Sequence, residues 1–304
     1  MALYEKITII GLGLIGSSLA RGIKETSLTD NLTGFDNNPD AQEPIKQLRL
    51  VDHLSDNLID AVHDADLIIL ATPVGAYSSI AEIIGEHLKK GATLSDVGSI
   101  KGAVFDMLCP HIKEDVHVIP AHPVAGTEQS GPRAGFSSLF HDRWAIITPK
   151  KETDNQAVEK LSTFWEALGS NVEIMDPAHH DKVLAITSHV PHLIAYNIVG
   201  TAYDLEEVTK SEVIKFSAGG FRDFTRIAAS NPTMWRDVFL NNKEAVLEML
   251  GRFSEDLTAL QRAIRWGDGD ALFEMFEKTR RIRRQIIDAG QEEDVADFGR
   301  KHDE

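Results

Sequence analysis

Apolar residues in the first half of the chain gather into short, nearly continuous runs: KITII at 6–10, LTGFD at 32–36, LIILATP at 67–73, TLSDV at 93–97, HVIPAHP at 117–123 and WAIITP at 144–149. Runs of this length predict strands buried on both faces, and the amphipathic stretches between them predict helices that cover those faces. Strand and helix in alternation imply an α/β region built on a doubly wound parallel sheet. A helix over 154–168 and a strand over 172–175 complete it.

Beyond Asp176-Pro177 no strand-like alternation returns and the pattern is helical almost throughout. The spacing therefore predicts two domains, residues 1–176 and an all-α domain over 177–304. The clearest helix of the second runs from about Lys243 to Trp266, where Val246, Leu250, Phe253, Leu257, Leu260 and Ile264 recur at steps of four and three. That is a heptad seam suited to helix–helix packing. A monomer could bury it internally; a homodimer is the expectation. The segment AHHDKVLAITSHVPHLIAYNIVG reads as one long helix containing Pro191, whose missing N–H predicts a kink at the turn that holds Thr187. The last residues, QEEDVADFGRKHDE, read as a polar tail.

Between the first strand and the first helix lies GLGLIG, with Gly11, Gly13 and Gly16, and Asp36 follows twenty residues after the last glycine. Gly11 permits a tight turn, Gly13 lets backbone approach a pyrophosphate, and Gly16 lets the helix pack closely. The N–H groups at the helix N-terminus face the phosphates. This context makes residues 1–176 a Rossmann-type dinucleotide-binding domain, with Gly11, Leu12, Gly13, Leu14, Ile15 and Gly16 at the cofactor. Thr72, Pro73 and Val74, at the end of a later strand, join them. Asp36 would accept hydrogen bonds from a ribose 2′-OH and repel a 2′-phosphate, which favours NAD; Asn37 and Asn38 are compatible with NADP as well.

Composition narrows the class. The 304 residues are 42% hydrophobic and 26% charged, enough for two domains. A net charge of −16 argues against an extended nucleic-acid interface. The basic cluster KTRRIRR at 278–284 would spread around a helix and reads as a solvated last helix, or else as an edge of an acidic-substrate site. The single cysteine, Cys109, excludes an intramolecular disulfide framework, fits a reducing cytoplasm and is expected inside a helix. No signal-peptide h-region opens the sequence and no apolar run approaches the roughly 18 residues of a membrane span, so no membrane partner is expected.

Three segments carry chemistry. His122 ends a predicted strand in AHPVAGTEQSG, where an imidazole at the crevice would suit a general base. In the Pro191 helix, Ser188 and His192 share a face, with His189 about 100° away. The H-x-x-H spacing lacks a third ligand, so no metal is expected. In SAGGFRDFTRIAASNPTMWRD, Gly219 and Gly220 precede Arg222, Asp223 and Arg226, and an arginine fork would hold a substrate carboxylate. Composition alone makes Trp235 a core residue.

Taken together, GLGLIGSSLA, SDVGSIKG, HPVAGTEQSG, HDKVLAITSHVPH and GGFRDFTRIAASNPTMWRD resemble the prephenate/arogenate (cyclohexadienyl) dehydrogenases of tyrosine biosynthesis, over nearly the whole chain. The resemblance implies NAD-dependent oxidative decarboxylation in a dimer whose helical domain contributes to the substrate site. It implies that His122 accepts the proton of the substrate's ring hydroxyl, that Ser99 bridges that hydroxyl and the nicotinamide, and that Arg226 binds a carboxylate. It implies further that Ser188, His192, Gly219, Gly220 and Trp235 line the pocket, with Glu128 and Asp223 at its mouth. Two rivals remain: a β-hydroxyacid dehydrogenase, for which Lys182 is the candidate catalytic lysine, and a non-catalytic NAD(H)-sensing dimer.

Overall fold

The computed structural model describes residues 2–209 and 212–288; the predicted polar tail lies outside the described residues. Strands and helices alternate from the start: β1 (Ile7–Ile10), α1 (Leu14–Thr26), β2 (Leu32–Phe35), α2 (Pro39–Gln47), β3 (His53–Leu54), α3 (Leu58–Val62), β4 (Leu67–Leu70), α4 (Tyr77–Ile84), β5 (Thr93–Asp96), α5 (Gly102–Leu108) and β6 (His117–Val118). The six strands form one parallel sheet in the order β3-β2-β1-β4-β5-β6, with Ile7 opposite Leu32 on one side and Leu67 on the other. Ile7, Ile9, Leu67 and Ile69 pack with Leu19 and Ile23 of α1, whereas Ile10, Ile68 and Leu70 pack with Tyr77 and Val104. Both faces are thus covered, which is why these strands read as continuous apolar runs. Each fully buried Ile or Leu contributes about 1.5–3 kcal/mol.

The predicted single strand 117–123 is in fact two. Ile119 N–H still donates to Leu94 of the large sheet, 2.9 Å, but Pro120 has no N–H, and its carbonyl instead accepts from Thr148, 2.9 Å. The chain changes sheets there. β7 (Ala121–Pro123) runs antiparallel to β8 (Trp144–Ile147), and β8 pairs in parallel with β9 (Asn171–Ile174) after α6 (Asn155–Ala167). His122 therefore sits opposite Ile146 on an antiparallel edge strand of a separate three-stranded sheet, a correction to its expected place at the end of a parallel strand.

All described elements after Asp176 are helical: α7 (Pro177–Leu184), α8 (Val190–Thr209), α9 (Glu212–Lys215), α10 (Gly219–Thr225), α11 (Pro232–Asn241), α12 (Lys243–Trp266) and α13 (Gly269–Asp288), with short 3₁₀ turns between some of them. Asp176 caps α7 through the N–H groups of Ala178 and His179, both 3.0 Å. Pro191 is accommodated by a π-helical turn over Ala185–His189 that joins α7 to α8. The helical run Pro177–Asp204 is, by length and composition, long and apolar enough to cross a membrane, contrary to the expectation. Its His180, Asp181, His189, Val190 and Ala195 are buried in the protein.

By compactness the chain divides into residues 1–247 and 248–304. In the second unit the seam of α12 is partly open: Leu257 is 44% and Ile264 67% exposed, while Leu250, Phe253 and Leu260 are half-buried. The basic cluster at 278–284 lies exposed on α13, where Arg280 meets Glu277 at 3.6 Å. Cys109 is half-buried in a 3₁₀ turn after α5, with Lys150 Nζ 3.8 Å from its sulfur, rather than inside a helix.

Candidate active site

The glycine turn after β1 is set by packing. Gly11 has φ +93°, and a Cβ there would come within 2.7 Å of the Ala71 carbonyl at the end of β4. A Cβ on Gly16 would collide with the Gly11 carbonyl, so α1 packs directly on the turn, whereas Gly13 has open space before it. Gly13 is the N-cap of α1, no side chain caps the helix, and its first turn holds no acidic residue. These unclaimed N–H groups, the open face of Gly13 and the buried, partnerless hydroxyl of Thr72 fit a dinucleotide pyrophosphate. Asp36 is partly committed: Oδ2 accepts from Leu12 N–H at 2.8 Å and Oδ1 from Asn38 N–H at 2.9 Å. The Leu12 side chain is fully buried beneath the turn.

Asp96, at the end of β5, faces inward rather than into the crevice. Its Oδ2 accepts from Lys101 Nζ at 2.6 Å, Gly98 N–H at 2.8 Å and the Tyr77 hydroxyl at 3.0 Å. Lys101, fully buried, also donates to the Ala121 carbonyl at 2.7 Å and so ties the β5–α5 loop to β7. Burial pulls the Lys101 ammonium pKa down, and Asp96 and Asp181 oppose that pull. The same network holds two positions near each other: Ser99 in the loop and His122 on the strand.

Two cavities meet there. One, about 500 Å³, is lined by Gly13, Leu14, Ile15, Thr72, Pro73 and Val74, and reaches Ser99 and Pro123. The other, about 580 Å³, is lined by Ser99, His122, Glu128, Ser188, His192, Arg226 and Trp235 among others. Successive β7 side chains point to opposite faces: His122 lines the second cavity and Pro123 the first. Ser99 lines both.

His122 is nearly buried, and its Nδ1 lies 2.9 Å from His180 Nε2, while His180 Nδ1 lies 2.8 Å from Asp181 Oδ1. Burial holds the His122 pKa well below its ordinary value, with His180, Lys101 and His189 adding to the effect, so the ring is neutral near pH 7. The far wall comes from the helical region. His192 stacks on Trp235 with ring centroids 3.8 Å apart, and its Nδ1 lies 2.8 Å from the Ser188 carbonyl. His189, buried behind it, has its pKa lowered to about 4, chiefly by burial. At the rim Arg226 Nη1 meets Glu128 Oε2 at 2.8 Å; a hydrogen bond from its own backbone N–H, with Arg226 adding to it, holds the Glu128 carboxyl below its usual range.

Of the residues singled out from sequence, Ser99, His122, Glu128, Ser188, His192, Arg226 and Trp235 come together around one cavity. Gly219, Gly220 and Asp223 lie on α10 and are not among its lining; Asp223 is 3.9 Å from Arg222. Gly11, Leu12, Gly16 and Asp36 shape the turn without lining the adjoining cavity. Lys182 faces a separate depression beside α5 and α12, away from His122. Sequence reasoning passed over Lys101, His180 and Asp181; the signal present was their place inside SDVGSIKG and HDKVLAITSHVPH. Among the described residues no cluster of three potential metal ligands occurs.

Residues 19–174 match the nucleotide-binding domain of prephenate dehydrogenase, and residues 176–278 match its dimerization domain. The cyclohexadienyl dehydrogenase of Zymomonas mobilis is 40% identical over 93% of this chain and 96% of its own length. The prephenate dehydrogenase of Bacillus subtilis is 32% identical over 92% of this chain and 75% of its own length. Among solved structures, prephenate dehydrogenase from A. aeolicus in complex with hydroxyphenyl propionate and NAD⁺ superposes with a TM-score of 0.86 at 32% identity, covering 93% of this chain and 98% of that one. With both of its regions matched and relatives similar along nearly all its length, the chain belongs to the prephenate dehydrogenase family.

Proposed function

We propose that the protein catalyses NAD-dependent oxidative decarboxylation of prephenate, arogenate or both, giving 4-hydroxyphenylpyruvate or tyrosine, as a homodimer. The observation that carries this reading is the meeting of the two cavities at Ser99 beside His122. The glycine turn, the N-terminus of α1 and Thr72 hold the dinucleotide, which when bound supplies the hydride acceptor. Asp36 at the end of β2 favours NAD over a 2′-phosphorylated form.

In the second cavity Arg226 exchanges Glu128 for a substrate carboxylate, and Trp235 with His192 forms a flat wall for the ring. Ser99 orients the ring hydroxyl toward His122. As the hydrogen on the hydroxyl-bearing carbon departs with its electron pair, His122 takes the hydroxyl proton. The carbon–carboxylate bond then breaks, its electrons complete the aromatic ring, and the oxygen recovers a proton from His122. Aromatisation makes the step strongly downhill, so the protein mainly aligns the reactants. Lys182 lies apart from this cavity, which removes the geometric basis for a β-hydroxyacid dehydrogenase.

The test is NADH formation on mixing the purified protein and NAD⁺ with prephenate and, in parallel, with arogenate. Turnover of either is expected, and the ratio of kcat/KM values names the preferred substrate. Silence with both, in a protein that binds NAD⁺, would replace the proposal with the sensor reading.

A further inference from the structure

A line of hydrogen bonds runs back from His122 into the protein. His122 Nδ1 lies 2.9 Å from His180 Nε2, and His180 Nδ1 lies 2.8 Å from Asp181 Oδ1. Asp181 is held from the other side: Oδ1 accepts from Lys101 N–H and Oδ2 from Gly102 N–H, each at 2.8 Å. Its backbone carbonyl accepts from Asn242 Nδ2 at 2.9 Å.

The position of every proton follows from the far end of this line. Both oxygens of Asp181 already act as acceptors toward backbone N–H groups, so the carboxylate is the acceptor of this line too and His180 donates to it through Nδ1. Burial keeps His180 neutral despite Asp181, and a neutral imidazole carries one N–H only. His180 Nε2 is therefore an acceptor, and its 2.9 Å contact requires His122 to donate through Nδ1. The opposite arrangement would set two lone pairs against each other at the Asp181 end. What remains to His122 is a bare Nε2.

We infer that His180 and Asp181 are positioning residues that hold His122 in its Nδ1–H tautomer, making Nε2 the atom that takes the substrate proton. The inference rests on the proposed role of His122 as base. It gives the buried pair at the start of α7 a task that neither touches substrate nor merely fills space: Asp181 also bridges α7 to the first N–H groups of α5, so ring orientation and tautomer are set by the same carboxylate.

The experiment is ¹⁵N-histidine NMR of the protein without substrate, combined with kinetics of two variants. In the unaltered protein His122 and His180 are both expected as Nδ1–H tautomers. His180→Leu removes the acceptor, so the His122 signal should move toward a mixture of tautomers, and kcat should fall by roughly 10²-fold with KM within about two-fold. His180→Gln puts an amide oxygen opposite His122 Nδ1 and should restore the Nδ1–H signal and most of kcat. An Nε2–H His122 in the unaltered protein overturns the inference, as does a His180→Leu enzyme with unchanged tautomer and kcat, or a His180→Gln enzyme no better than His180→Leu. Because the spectra are read without substrate, they decide the tautomer even if neither prephenate nor arogenate is turned over, a result that would instead count against the proposed function.

Discussion

A neutral imidazole and an arginine already engaged by a carboxylate are built for different parts of the proposed reaction, and substitution should separate them. His122→Asn removes the proton acceptor while keeping a polar side chain of similar reach, so kcat should fall by about 10²–10⁴-fold with little change in KM. Arg226→Gln removes a charge that acts on bound substrate throughout, so KM for the cyclohexadiene should rise with a smaller change in kcat. Near-wild-type kcat in His122→Asn would remove the assigned base. The pH profile gives a second check: the base works deprotonated, and burial lowers the His122 pKa, so kcat/KM should stay level as pH falls to 6.5 and drop only below it. An acid limb centred at pH 7 or above would contradict that environment. At this scale the sequence made legible several residues whose side chains reach the cavity: His122, Ser188, His192 and Arg226 are polar types that stand out in otherwise apolar or glycine-rich segments, and Ser99 was marked by the family resemblance of SDVGSIKG. His180 and Asp181 were not legible, since their meaning lies in a contact across 58 residues and a carboxylate that reaches back 80 residues to Lys101.

The glycine turn separates folding from binding within one six-residue element. Gly16→Ala would drive a methyl into the Gly11 carbonyl, backbone against backbone, and force α1 off the turn. The expected cost is about 1–3 kcal/mol, read as a lowered Tm. Gly13→Ala meets no atom within 4 Å, so Tm should hold while NAD⁺ affinity, followed by fluorescence titration of NADH, falls because the methyl fills the approach to the pyrophosphate. Equal Tm losses in both variants, or undiminished NADH binding in Gly13→Ala, would refute this division. Buried strands were readable because β1 and β4 are apolar on both faces. The change of sheet at Pro120 was not: 117–123 is one apolar stretch, and only the carbonyl's pairing with Thr148 reveals that the strand has ended and another begun. Likewise the proline at 191 announced a disturbance, while its form, a π turn, depends on packing.

For the whole molecule, charge and apolar surface pull in opposite directions. At −16 per chain, two copies repel each other, so association has to be driven by apolar contact and should strengthen as salt screens the repulsion. The partly open seam of α12 offers such contact through Leu257 and Ile264, and the match of residues 176–278 to a dimerization domain points to a second copy as the occupant. Sedimentation equilibrium should therefore give twice the chain mass, with a dissociation constant that falls as salt rises. Leu257→Glu combined with Ile264→Glu places like charges in the seam and should yield a monomer. That monomer should still bind NAD⁺, since the cavity lined by Gly13, Thr72 and Ser99 belongs entirely to residues 1–247. A wild-type protein that stays monomeric at every concentration and salt would deny the seam this role. A doubly substituted protein that stays dimeric would move the interface to another face of the helical region.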